Sequence, residues 1–165
     1  MTVRLAIPTA EGVFIAHYSR QGLARLEFPE TKSEVDLPKN ETAPLPAEIR
    51  RWHDLTTTAL NETLAGRTAH ELPPLDLSSG TEFQQRVWGA LRRIASGRTL
   101  SYGEVAAKVG KPRAMRAVGG ACGANPIPVL VPCHRVLAAH QALGGFSSGL
   151  DWKRKLLARE GIAVH

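Results

Sequence analysis

The chain has 165 residues, 43% of them hydrophobic, and two cysteines. That is enough for one or two small domains with a core, too little sulfur for a disulfide scaffold, and it contains no apolar run near the ~20 residues of a membrane span and no secretion-signal pattern, so a cytoplasmic protein is expected. Residues 1–75 carry 8 Lys+Arg and 10 Asp+Glu (net −2), while 76–165 carry 13 and 5 (net +8), which is either the footprint of a polyanion or a solvated basic face.

Three short segments rich in β-branched and aromatic residues, 3–9, 12–19 and 23–29, read as strands separated by glycine-containing turns. Residues 31–46 are polar and charged and end in Pro-Leu-Pro, which reads as a loop. From Ala47 to about Gly66, Ile49, Trp52, Leu55, Thr56, Ala59 and Leu60 fall on one face of a helix, and Gly66 is its stop. The Pro/Ser/Gly-rich stretch 71–80 reads as a linker. The chain thus divides into an α+β domain over 1–75 and a second domain over 76–165.

The second half is helical. Thr81 with Gln84 and Ser101 with Glu104 form capping boxes, in which hydroxyl and carboxyl or amide each satisfy an orphan backbone donor. The first opens a helix burying Phe83, Val87, Leu91 and Ile94; the second opens a short helix that Gly110 ends. Pro112 suits the first turn of a third helix, from 113 to 124. Two short helices around a glycine turn outline a helix-turn-helix. On the third helix Met115, Val118, Ala121 and Cys122 form the core side. Arg113, Arg116, Ala117, Gly120 and Ala124 form a small, basic face, suited to the narrow minor groove of DNA or to close helix–helix packing.

Cys133 stands between Pro132 and the pair His134 and Arg135. An imidazole and a cation both favour a thiolate nucleophile. A base needs an orienting partner, and in the last helix Glu160 shares a stripe with Trp152 and Leu156; the alternative is an edge glutamate paired with a lysine. Cys122, Cys133 and His134 are too few for a zinc site, so no metal or other cofactor is expected.

The motifs 81–88 (TEFQQRVW), 101–106 (SYGEVA), 116–128 (RAVGGACGANPIP), 132–136 (PCHRV), 144–149 (GGFSSG) and 155–161 (KLLAREG) resemble, in order and spacing, those of the O6-alkylguanine–DNA alkyltransferases. The resemblance implies a ribonuclease H-like first domain and a winged helix-turn-helix-like second domain carrying the nucleophile. It implies irreversible, single-turnover repair of O6-alkylguanine, and of O4-alkylthymine, after flipping the base from the minor groove of double-stranded DNA. Cys133 would accept the alkyl group, with His134 as base through a water and Glu160 behind it. Asn125 would hold the active-site turn. Tyr102 would crowd the phosphate and protonate the leaving guanine. Arg116 would fill the gap in the duplex, with Ala117, Gly120 and Arg135 as further DNA contacts. Pro128, Val131, Phe146, Ser147 and Ser148 would line the pocket. A monomer without membrane partners is implied, with side-by-side binding on DNA left open. Phe146 replaces a frequent tyrosine and Ser148 a frequent glycine, which bears on substrate range. Three other classes fit parts of the pattern: a lesion reader without transfer, a helix-turn-helix regulator and a cysteine hydrolase.

Overall fold

A computed structural model of the chain describes residues 2–29, 44–146 and 148–164. Three strands, β1 (Val3–Thr9), β2 (Gly12–Tyr18) and β3 (Leu23–Glu27), form an antiparallel meander in the order 1-2-3. Alternation decides which face is inside: Leu5, Ile7, Phe14, Ala16 and Tyr18 are buried together because side chains two apart share a face. Helix α1 (Ala47–Leu64) lays Ile49, Trp52, Thr56, Ala59 and Leu60 into the same core, and the Tyr18 hydroxyl meets His53 Nδ1 at 2.8 Å. Leu55 is only half-buried. Most of the expected 31–46 loop lies outside the described residues.

The expected linker is more than a connection. Leu75 bridges Leu23 in parallel, the Leu23 amide donates to the Pro74 carbonyl at 2.8 Å, and the Asp76 amide donates back to Leu23 at 2.7 Å. An exposed sheet edge is a row of unpaired donors and acceptors, and this segment satisfies part of it. The Leu26 amide satisfies another part, donating to the Pro126 carbonyl at 2.9 Å. One hydrophobic cluster runs through both halves of the chain.

Helices α2 (Glu82–Leu91), α3 (Tyr102–Lys108), α4 (Met115–Gly123) and α5 (Leu150–Arg159) are the α-helices of the second half among the described residues. Both capping boxes form, each with its side chain and backbone bonds reciprocated. Trp88 pins α2 to α4 by donating from Nε1 to the Ala121 carbonyl at 2.8 Å. Two short strands, β4 (Leu100–Ser101) and β5 (Val136–Leu137), pair in parallel. That pairing brings the start of α3 beside the segment that follows Cys133. No described helix is long and apolar enough to cross a membrane.

The third helix starts later than its sequence suggests. Gly110 has φ +80, its amide bonds back to Ala107, and the Lys111 amide bonds to Ala106. This left-handed close of α3 is followed by a turn, so Pro112 precedes α4 instead of opening it. Met115 then sits at the first position of α4 and projects beyond the core. It is 52% exposed, whereas Val118, Ala121 and Cys122 are buried as expected.

Candidate active site

Cys133, His134 and Arg135 form a single 3-10 turn, and all three are buried. The turn is set up by Pro132, whose φ of −81 and ψ of 67 place it at the centre of an inverse γ-turn. The Cys133 amide bonds to the Val131 carbonyl across it at 2.8 Å. Proline has no amide to lose there. Upstream, Asn125 closes the loop from both ends: Nδ2 donates to the Val131 carbonyl at 2.8 Å and Oδ1 accepts from the Ile127 amide at 2.9 Å. Val129, buried within this loop, has φ +74, a conformation disfavoured for a β-branched residue by about 1–3 kcal/mol. The segment that delivers the cysteine is therefore strained and held by its surroundings.

Behind the cysteine, His134 Nε2 lies 3.1 Å from Glu160 Oε1. Glu160 is the cap residue of α5, placed by Gly161 at φ +79 and by the Ile162 amide bonding back to Leu157. Burial alone would raise the Glu160 pKa, but hydrogen bonds from His134 and Arg135 and their charges outweigh it and bring it down to about 2. An ionised carboxylate only accepts, so Nε2 carries the proton of the neutral ring. Burial pushes the His134 pKa below its ordinary value, against the pull of Glu160. The ring is thus neutral, with its lone pair on Nδ1, and that buried atom has no hydrogen-bond partner among the described residues. A base of this tautomer is what a thiol proton needs.

Arg135 departs from the expectation of a DNA contact. It is 8% exposed, donates to both Glu160 oxygens, and sends Nη1 to the Ile94 carbonyl at 2.7 Å. Its charge is used up internally. Nor is it the cation that acts on the thiol. That charge is Lys153, which is fully buried on α5. Its Nζ donates to the Val136 and Gly145 carbonyls at 2.7 and 3.1 Å and lies 5.9 Å from the Tyr102 ring centroid. Burial lowers the Lys153 pKa, and negative charge on Cys133 would raise it. Sequence reading missed Lys153, although Lys153, Leu157 and Glu160 share a helical stripe on which a lysine is conspicuous.

Burial dominates the thiol too. It raises the Cys133 pKa, opposed by a hydrogen bond from Asn125 and by the Lys153 charge. Desolvation of the anion exceeds what the cation and the amide return, so the resting group is the thiol. Burial likewise carries Cys122 up to about 12.

A cavity of about 920 Å³ opens over the thiol, lined among others by Tyr102, Met115, Arg116, Cys122, Cys133 and Phe146. The Tyr102 hydroxyl donates to the Gly145 carbonyl at 3.5 Å, and burial raises its pKa, keeping it protonated. Gly144, at φ +67, lies against that ring so closely that a Cβ would stand 2.9 Å from it. Phe146 meets Phe28 of the first half edge-on, with centroids 6.0 Å apart. His140 and Ala139 also line the cavity; nothing in their sequence distinguished them. The outer face of α4 is exposed at Arg116, Ala117 and Gly120. A Cβ on Gly120 or Gly123 would meet nothing within 4 Å, so the glycines do not serve helix–helix packing among the described residues.

The remaining predicted pocket residues lie elsewhere. Pro128, Asn125 and Ser148 line a neighbouring groove with Trp152. Val131 is fully buried and lines neither space. Ser147 lies outside the described residues. Among the described residues no group of three His, Cys, Asp or Glu is placed to hold a metal.

Known proteins resemble this chain in sequence and fold. Residues 82–162 match the family described as 6-O-methylguanine DNA methyltransferase, DNA binding domain. A methylated-DNA–protein-cysteine methyltransferase of Methanosarcina acetivorans is 40% identical over 144 residues, covering 86% of each chain. The crystal structure of Mycobacterium tuberculosis OGT in complex with DNA superposes with a TM-score of 0.77 at 38% identity, covering 95% of this chain and 91% of that one. The O6-methylguanine-DNA methyltransferase of Pyrococcus kodakaraensis follows with a TM-score of 0.63 at 25% identity, covering 98% and 100%. With a buried thiol, a neutral base and its carboxylate in one constellation, and with relatives matching over nearly the whole length, the chain belongs to the methylated-DNA–protein-cysteine methyltransferase family.

Proposed function

We propose that the chain repairs DNA by moving the alkyl group of O6-alkylguanine, and of O4-alkylthymine, onto Sγ of Cys133. The observation that carries this reading is the Cys133–His134–Glu160 constellation, whose cysteine lines a cavity beside the exposed, small-residue face of α4.

The electrons balance without a cofactor. His134 Nδ1 takes the Cys133 proton through a bridging water. Sulfur attacks the alkyl carbon, a carbon–sulfur bond forms, and the carbon–oxygen bond breaks. The guanine leaves with that electron pair and takes a proton from the Tyr102 hydroxyl, whose raised pKa keeps the proton in place until charge develops on the base. Lys153 favours the negative sulfur during attack. The thioether is a poor leaving group, and the neighbouring Cys122 thiol is kept protonated by a pKa pushed up to about 12, so each molecule acts once.

The target must leave the duplex, at a cost of a few kcal/mol. Arg116 occupies the space it vacates while Ala117 and Gly120 let α4 approach the minor groove. Phe146 walls the base; Pro128 and Ser148, on the neighbouring groove, and the buried Val131 border the site from behind. In this reading residues 1–75 are a ribonuclease H-like domain, 76–165 a winged helix-turn-helix-like domain, and the protein is a monomer working inside the cell on chromosomal DNA.

The test is incubation with duplex DNA carrying labelled O6-methylguanine. Label on Cys133 in a one-to-one ratio supports the reading. Binding without covalent label, or release of a small labelled product, rejects it.

A further inference from the structure

Residues 76–165 hold thirteen Lys and Arg, and the proposed reaction uses few of them. Arg135 and Lys153 are buried. Arg154 pairs with Asp151, and Lys155 and Arg159 pair with Glu11. Removing these five leaves eight, all between residues 86 and 116, all exposed. None of the eight forms an ion pair among the described residues. Only Arg116 lines the reaction cavity.

Four of the others, Arg86, Arg93, Arg98 and Lys108, line one groove of about 1010 Å³ between α2 and the end of α3. No carboxylate lines it. Two acids stand one helical turn before its cations, Glu82 before Arg86 and Glu104 before Lys108; neither lines the groove, and the Glu104 carboxylate already accepts from the Ser101 amide at 2.9 Å. A solvated face normally mixes both signs; this one does not. Its floor is apolar and low. Ile94 is buried, and a Cβ on Gly89 or Gly110 would meet nothing within 4 Å. Three guanidinium forks and an ammonium above such a floor suit the phosphates of a nucleic-acid backbone.

The groove is separate from the reaction cavity. The two share no lining residue, and the boundary is one residue wide: Leu100 lines the groove and Ser101 the cavity. Helix α3 has its first residues, Tyr102 and Gly103, at the cavity and its last, Lys108, at the groove; seven residues span ~10 Å. A duplex against α4 with one base in the cavity therefore lies across β4 and α3 from these cations.

We propose that this groove is a second phosphate-backbone site, which holds a separate DNA segment while the first is engaged at the cavity. The inference rests on the reading that the chain acts on DNA. It makes the protein a bridge between two duplexes or two distant parts of one molecule.

The test uses the full chain and two duplexes of about 20 base pairs, two helical turns each, one carrying a donor and the other an acceptor fluorophore. Single-duplex affinity, its salt dependence and labelled alkyl transfer are measured in parallel. Wild type should bring the duplexes together and lose that signal as salt rises. The triple variant Arg86→Gln, Arg93→Gln, Arg98→Gln should lose bridging while transfer and single-duplex binding persist. Lys108→Gln, which leaves α2 untouched, should weaken bridging in the same direction. No energy transfer with wild type, or undiminished bridging by the variants, overturns the proposal. So does a single-duplex salt slope that flattens by about 2.7 in the triple variant, the loss of three phosphate contacts at ~0.9 each, because the groove would then serve the flank of the same duplex. Absence of alkyl transfer by wild type would instead reject the repair reading.

Discussion

Arg135 grips both oxygens of Glu160, at 2.6 to 3.1 Å, and leaves no part of its charge for DNA. The pairing also solves a local problem. Glu160 caps the C-terminal end of α5, where the helix dipole disfavours an anion, and a bidentate guanidinium holds it there. Through Glu160 the same contact fixes which nitrogen of His134 bears the proton.

Arg135→Ala should therefore destabilise the fold by about 3–5 kcal/mol, the usual cost of leaving one member of a buried pair alone. Arg135→Lys should recover only part, since an ammonium cannot bridge both oxygens and the Ile94 carbonyl. Urea unfolding measures the stability. The salt dependence of DNA binding should not change; a slope reduced by about 0.9 would return Arg135 to the DNA interface.

Acid should unfold the protein in two stages. His134 is held below its ordinary 6.5 by burial, so the unfolded chain takes up a proton first and stability declines as pH falls below about 6.5. Glu160 falls from 4.5 to about 2 on folding. Its contribution is complete above 4.5 and is lost as pH drops toward 2, a difference of roughly 3 kcal/mol. Denaturant titrations from pH 8 to pH 3 should show stability falling below about pH 6.5, and Glu160→Gln should shrink the lower stage, to which the lowered Glu11, Glu27, Asp76 and Glu104 also contribute. A flat profile between pH 6.5 and 3 would contradict both assignments.

Glu160→Gln should also slow transfer, on the order of 10²-fold, the lower end of general-base contributions. A carboxamide can donate to Nε2 and move the ring proton to Nδ1, which removes the base. Single-turnover rates on the free base O6-benzylguanine isolate this effect from DNA binding. Unchanged rates would leave Glu160 with a role in stability alone.

Cys133→Ala should abolish transfer and leave DNA affinity intact, whereas Cys122→Ala should transfer normally. Both thiols line the cavity, but only Cys133 adjoins the His134–Glu160 pair. Peptide mapping of the alkylated protein decides between them, and label on Cys122 would displace the assignment.

Arg116→Ala should slow repair in a duplex while leaving reaction with free O6-benzylguanine unchanged. Arg116 is exposed on α4 at the cavity rim, away from Cys133, His134 and Glu160, and filling a vacated stack matters only when a stack exists. The scale is the few kcal/mol of base extrusion. Equal losses on both substrates would assign Arg116 to the pocket itself.

Much of the architecture was legible locally. β-Branched and aromatic content between glycine-containing turns located the three strands, and reciprocal capping pairs at Thr81 and Ser101 located two helices. Glu160 was legible from its place on an apolar stripe. What failed was decided by packing. Met115 has helical spacing with Val118 but stands at the first residue of a helix that starts late, so spacing alone could not bury it. Arg135 adjoins Cys133 in sequence, yet its side chain reaches Ile94 and Glu160, contacts that no neighbouring residue announces. The raised thiol pKa depends on how completely the chain closes over Cys133, and sequence proximity to His134 carries no measure of desolvation.

That closure bears on shelf life. A protein that can react only once is lost to any stray electrophile or oxidant that reaches its sulfur first. Cys133 is 4% exposed, and burial keeps it a neutral thiol, the form in which sulfur is least reactive toward dissolved reagents. The desolvation that makes the nucleophile harder to ionise therefore also keeps it unspent until a base fills the cavity and the proton has somewhere to go.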